Sequence, residues 1–132
     1  MGRLISDKYK AWQAECEARF QHLKQNEEEL NRIFIDIYGL QDELTPEVAD
    51  KDITVHRVFD TKEDVPESMK GSAYIRTKRD EIVSLISYAV GCLLGRYSLD
   101  VDGLAYAGGE WDASKYKTII PDAEPEIMEQ EA

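Results

Sequence analysis

Histidine, cysteine and proline are scarce in this chain of 132 residues, which holds two His, two Cys and four Pro. Cys16 and Cys92 are far apart, each within a helical pattern, with no CxxC partner and no cluster of His beside them. Zinc ligation and a disulfide framework therefore have no support, and two buried thiols in a reducing compartment is the expectation. His22 and His56 have no Ser, Cys or Asp at a spacing that local structure would bring together, so no nucleophile and base pair can be argued. Gly-x-Gly is absent, and Gly108-Gly109 lacks the Lys-Ser/Thr or strand-turn-helix context of a phosphate cradle. Long apolar runs are also missing. The longest, 82–94, is too short and too rich in Ser and Gly to cross a bilayer, and the opening MGRLISDKYK has no signal-like core. A cytoplasmic protein is expected.

Positive charge is in deficit, with 16 Lys and Arg against 27 Asp and Glu, a formal net charge of -11. That balance argues against general affinity for nucleic acid, which draws on cations that displace counterions from phosphates. Part of the excess is local: Asp122, Glu124, Glu126, Glu129 and Glu131 come with no base among them. The length suits a single domain, 1–121, followed by an acidic tail, 122–132, with little to bury and therefore disordered or weakly docked.

What the chain does have is helical periodicity. Tyr9, Trp12, Cys16, Phe20, Leu23, Leu30, Phe34 and Ile37 step mostly by three or four, which predicts a long helix from Asp7 to Tyr38. Ser6 or Asp7 suits the N-cap, and Gly39 stands where a left-handed residue ends helices. The polar stretch from Lys24 to Glu29 reads as a wet surface or as a break at Asn26, where Asn26 and Glu29 have the form of a capping box. A helix this long outreaches a compact domain of this size, so one face needs a partner, a second copy included.

A second helix is predicted from Thr77 to Arg96, apolar around most of its circumference and therefore central. Ser87, Gly91 and Gly95 recur at four-residue steps and mark a shallow packing groove, with the first helix as the obvious neighbour. Ile53 to Phe59, Leu104 to Tyr106 and Lys115 to Ile120 read as short strands between turn-rich segments. The expected fold is mainly α: a long N-terminal helix packed on a central Gly-containing helix, with short β strands or a hairpin and the acidic tail.

Candidate chemistry is thin. Asp100, Asp102 and Gly103 look like the start of a calcium loop, but the bidentate Glu it needs at the twelfth position would fall on Trp111. Arg76, Lys78 and Arg79 form the one basic cluster, and they oppose the dipole at a helix start by a few tenths of a kcal/mol. They are the candidates for contact with a DNA backbone, against the simpler reading of a solvated helix start. No residue qualifies as catalytic, cofactor-binding or metal-ligating.

Two blocks carry a family resemblance. The run Glu29-Leu30-Asn31-Arg32-Ile33, continuing to Ile37-Tyr38-Gly39-Leu40 and Glu43-Leu44, resembles the spacer of large adenine-specific DNA methyltransferases of phage-defence systems, with a looser version in type IIG restriction-modification enzymes. The run Ser87 to Cys92, then Gly95-Arg96-Tyr97-Ser98-Leu99-Asp100, then Gly103-Leu104 through Tyr106-Ala107-Gly108-Gly109 to Trp111-Asp112, is similar to the BREX (Pgl-type) branch in particular.

The resemblance implies a parent enzyme that transfers a methyl group from S-adenosylmethionine to N6 of adenine, on a base flipped into a pocket. The family's Asn-Pro-Pro-Tyr-type motif and Gly-rich cofactor loop have no counterpart here, since Pro46, Pro66, Pro121 and Pro125 all stand alone. The implied role is a noncatalytic helical segment, whose partners would be the catalytic and target-recognition parts, with DNA in weak contact. The alternative is a free-standing acidic protein that dimerises through its N-terminal helix and acts as an interaction or DNA-mimic module.

Overall fold

The computed structural model describes residues 4–118, so the expected acidic tail, and the end of the Lys115 to Ile120 segment, lie outside the described residues. The architecture is mainly helical. It comprises α1 (Ile5–Tyr38), β1 (Arg57–Phe59), β2 (Ile75–Thr77) and α2 (Lys78–Leu93), with short 3-10 turns between them. The chain falls into two compact units, Met1–Val83 and Ser84–Ala132. The boundary falls inside α2, whose backbone continues while its two halves pack within different units.

In the first unit α1 runs unbroken for 34 residues, about 50 Å at 1.5 Å per residue. It opens at Leu4, earlier than Ser6 or Asp7, and no side chain caps it. It ends as the sequence predicts. Gly39 adopts φ 64°, the Leu40 N–H reaches back to the Ile35 carbonyl at 3.0 Å, and Gly39 N–H turns to Asp36, the pairing that satisfies the last carbonyls of a helix. The polar stretch is not a break, because the following segment docks on it. Lys24 pairs with Asp50 at 2.6 Å, Glu28 accepts the Val48 N–H, and Asn31 donates to the Pro46 carbonyl.

The core of this unit is Phe20, Ile53 and Met69, with Leu23, Val48, Val55, Phe59, Val65 and Ile75 packed around it. The strand expected over Ile53 to Phe59 shrinks to Arg57–Phe59. Ile53 instead closes the 3-10 turn Asp50–Asp52 and is fully buried. β1 and β2 are parallel, Arg57 opposite Ile75 and Phe59 opposite Thr77. The inner face of α1 packs on β1, and Gln13 donates to the outward carbonyl of Val58 at 3.1 Å, covering that edge.

β2 leads straight into α2. Asp80 accepts the Thr77 N–H at 2.8 Å and its hydroxyl at 3.1 Å, the returning half of a capping box. The helix stops at Leu93, short of the expected Arg96, because Gly95 takes φ 77° and the Arg96 N–H reaches back to Gly91 at 2.9 Å.

The second unit holds no strand among its described residues beyond an isolated bridge between Ser98 and Val101. Leu104 to Tyr106, expected as a strand, is irregular, and of the segment expected from Lys115 the first residue ends the 3-10 helix Ala113–Lys115 while 116–118 is irregular. Side chains take the bonds a ladder would have used. Asp112 accepts the Ser114 N–H at 3.0 Å, and Asp100 accepts from the Lys117 and Thr118 backbones at 2.6 and 2.7 Å.

Candidate functional site

The sequence marks three places: the basic cluster, the glycine groove and the apolar helix. Arg76 is engaged in its own unit, with Nε 2.5 Å from Glu81 Oε1 and Nη2 3.2 Å from the Asp80 carbonyl. Lys78 sits 5.0 Å from the centroid of the Tyr9 ring, and Arg79 is exposed. Trp12 Nε1 donates to the other Glu81 oxygen at 3.1 Å, so the start of α1 and the first turn of α2 meet through Trp12, Tyr9, Lys78 and Glu81. Beside them a cleft of about 320 Å³ is lined by Ile5, Tyr9, Gln13, Asp60, Lys78 and Ile82. Burial, then the 2.8 Å bond to Asp60, pushes the Tyr9 phenol above its ordinary range. The three cations therefore do not form one free patch.

The glycine row is filled by aromatics of the second unit. A Cβ on Gly91 would lie 2.3 Å from Cδ2 of Tyr97, and one on Gly95 would lie 2.8 Å from the Trp111 indole. Both positions are buried, whereas Ser87 is exposed. Trp111 stacks on Tyr116 with centroids 4.4 Å apart and planes 5° from parallel, and Tyr106 meets it edge-on at 5.3 Å. Tyr116 donates its hydroxyl to the Gly95 carbonyl, which ties the stack to the end of α2. The sequence reading found the glycines but missed what covers them. A small residue beside four aromatics, at 97, 106, 111 and 116, was the available signal.

Next to this cluster a cleft of about 580 Å³ is lined by Leu85, Tyr88, Cys92, Leu93, Tyr97 and Leu99. A hydrogen bond with the Cys92 thiol, aided by burial, pushes the Tyr88 phenol up. Hydrogen bonds from Thr118 and Lys117 hold the Asp100 carboxyl below its ordinary value, so this acid serves as a staple for the chain after Lys115. Among the described residues no three His, Cys, Asp or Glu side chains gather to hold a metal ion. His56 tilts against Tyr74 and His22 faces Asn26; both are exposed.

The apolar helix differs most from expectation. Its circumference marks an interior element, yet Leu85, Ile86 and Val90 are about half exposed, and Leu93 and Leu94 are 86% and 76% exposed. A second apolar stripe, Leu30, Ile33, Phe34, Ile37 and Tyr38, lies exposed on the distal half of α1. Burying a Leu or Ile side chain stabilises by about 1.5–3 kcal/mol, so these surfaces hold free energy that a partner would release. Among the described residues, no helix is long and apolar enough to cross a membrane.

No family model matches the chain, and no solved structure matches it. Against curated proteins, it is 52% identical over 120 residues to the adenine-specific methyltransferase PglX of Lacticaseibacillus casei (strain Zhang), a match covering 91% of the chain. It is 32% identical over 89 residues, 67% of its length, to the adenine-specific methyltransferase BrxX of Escherichia coli O9:H4 (strain HS). The chain belongs with the adenine-specific methyltransferases of BREX/Pgl systems. It spans 8% of the first of these methyltransferases and 7% of the second.

Proposed function

We propose that the chain is a noncatalytic helical scaffold segment of a phage-defence, BREX-type N6-adenine DNA methyltransferase, holding the catalytic and target-recognition parts in place. The observation that carries this reading is the exposure of α2, a helix apolar around most of its circumference, in a chain whose homology lies with a small part of a much larger enzyme. A helix of that composition is a core element of something bigger than its own unit. The sequence supports the noncatalytic part: no two prolines are adjacent and no Gly-x-Gly occurs, so neither the adenine pocket motif nor the S-adenosylmethionine loop of the parent family has a place here.

The test uses a full-length PglX-type methyltransferase that carries this segment. Replacing the residues equivalent to Leu93 and Leu94 by Lys is expected to abolish N6-adenine methylation of host DNA, with the enzyme expressed but its parts separable by limited proteolysis. Calorimetry of the isolated chain with S-adenosylmethionine is expected to give no heat. Methylation that survives the double substitution, or cofactor binding by the chain alone, would overturn the reading.

A further inference from the structure

The distal half of α1 presents a second surface, and it is built differently from α2. Leu30, Ile33, Phe34 and Ile37 recur at the i, i+3, i+4, i+7 spacing of a helical recognition stripe, all of them exposed. The opposite side of the same helix is sealed by its own chain, since Glu28 and Asn31 hold Val48 and Pro46 and Ile35 is buried. The stripe thus faces outward by construction. Its surroundings carry one sign of charge: residues 26–47 contain seven acids and one base. The base, Arg32, is tied to Glu29 at 2.7 Å. Helical geometry sets Glu29 and Asp36 along one flank of the stripe and Glu27 along the other.

We infer that this stripe is a docking surface for an amphipathic helix whose apolar face is flanked by Lys or Arg. The argument is charge complementarity. Acidic flanks bracketing an apolar seam attract a basic amphipathic partner and hold it in register. A second copy of this chain is the poorer fit, because self-pairing would set two acid-rich segments side by side in a molecule of net charge -11. The seam is also short, about 12 Å over its eight residues, which suits one docked helix better than an extended dimer interface. The inference does not rest on the methyltransferase reading, and its test uses this chain alone.

The probe is a synthetic Leu/Lys peptide with helical amphipathic spacing, titrated into the labelled full chain and followed by NMR. Two controls accompany it: a Leu/Glu peptide of the same pattern, and a shuffled Leu/Lys peptide of equal charge without an apolar face. Shifts confined to 27–38 are expected with the first peptide and none with the controls. Phe34→Asp should weaken binding at least tenfold, with circular dichroism showing the helix intact. Glu29→Gln with Asp36→Asn should weaken it several-fold and flatten its salt dependence. Equal binding of the shuffled or acidic peptide, or shifts centred on α2, would overturn the inference. So would concentration-dependent self-association that Phe34→Asp removes, which would assign the stripe to a second copy.

Discussion

The Arg57 guanidinium lies over the Phe20 ring, 4.4 Å from its centroid, while its Nε and Nη2 hold the two carboxylate oxygens of Glu17 at 2.8 and 2.9 Å. Nη1 makes no hydrogen bond and instead faces Asp50 Oδ2 at 3.7 Å. One cation thereby joins α1, β1 and the Asp50 turn over a buried aromatic. Arg57→Leu is expected to destabilise the first unit by about 2–3 kcal/mol, below the full cost of breaking a buried pair because Glu17 stays partly in water. Arg57→Lys should recover little, since an ammonium cannot hold both oxygens. Urea denaturation followed by circular dichroism measures both.

The same cluster sets an acid limit. Lys24, and then Ser68, hold the Asp50 carboxyl low against the effect of burial. Burial pushes Glu17 up, but hydrogen bonds from Arg57 and Gln21 together bring it net below its ordinary value. Both folded values lie under the unfolded ones, so the stabilisation is present above the ordinary carboxylate range and is lost as pH falls through the folded values. The midpoint of urea unfolding is expected to hold between pH 7 and about 5 and to drop below about pH 4. Asp50→Asn should flatten that drop, and an unchanged slope would sink the assignment.

Gly91 is expected to tolerate no side chain. Gly91→Ala places a methyl group against the inner carbons of the Tyr97 ring, which is itself packed 5.3 Å from Tyr88. Overpacking of this kind costs about 1–3 kcal/mol. Near-ultraviolet circular dichroism should register a displaced tyrosine, and pairing Gly91→Ala with Tyr97→Leu should restore part of the loss.

Leu93→Lys with Leu94→Lys should leave stability within about 0.5 kcal/mol, as substitutions on exposed positions do. Phe20→Ala, at a fully buried site, should cost about 3–5 kcal/mol. The Lys pair should also reduce fluorescence of an apolar-surface dye bound to the chain. Strong unfolding by the Lys pair would mean that these leucines are covered in the isolated chain.

Both helices were legible because periodicity and glycine speak locally. The stripe from Tyr9 to Ile37 and the stop at Gly39 needed no tertiary information, and neither did the start of α2 just after Thr77. The strands failed for the converse reason. Ile53 and Val55 are β-prone, yet Ile53 gains more from the core under α1 than from a ladder, and Asp100 and Asp112 capture backbone N–H groups that pattern reading gives to strands. Arg57 could not be singled out by sequence, because Glu17, which holds both of its donor nitrogens, lies 40 residues upstream on a different element. The glycine row was visible as a row, but its covering rings come from turns with no periodicity.

Because β1 and β2 run in the same direction, the chain between them has to travel the whole way back through residues 60–74 before the ladder can close. That return path is pinned chiefly by Met69, which is fully buried. A single protease nick beyond Phe59 would therefore do more than trim a loop: it would separate β1 from the strand that anchors the start of α2.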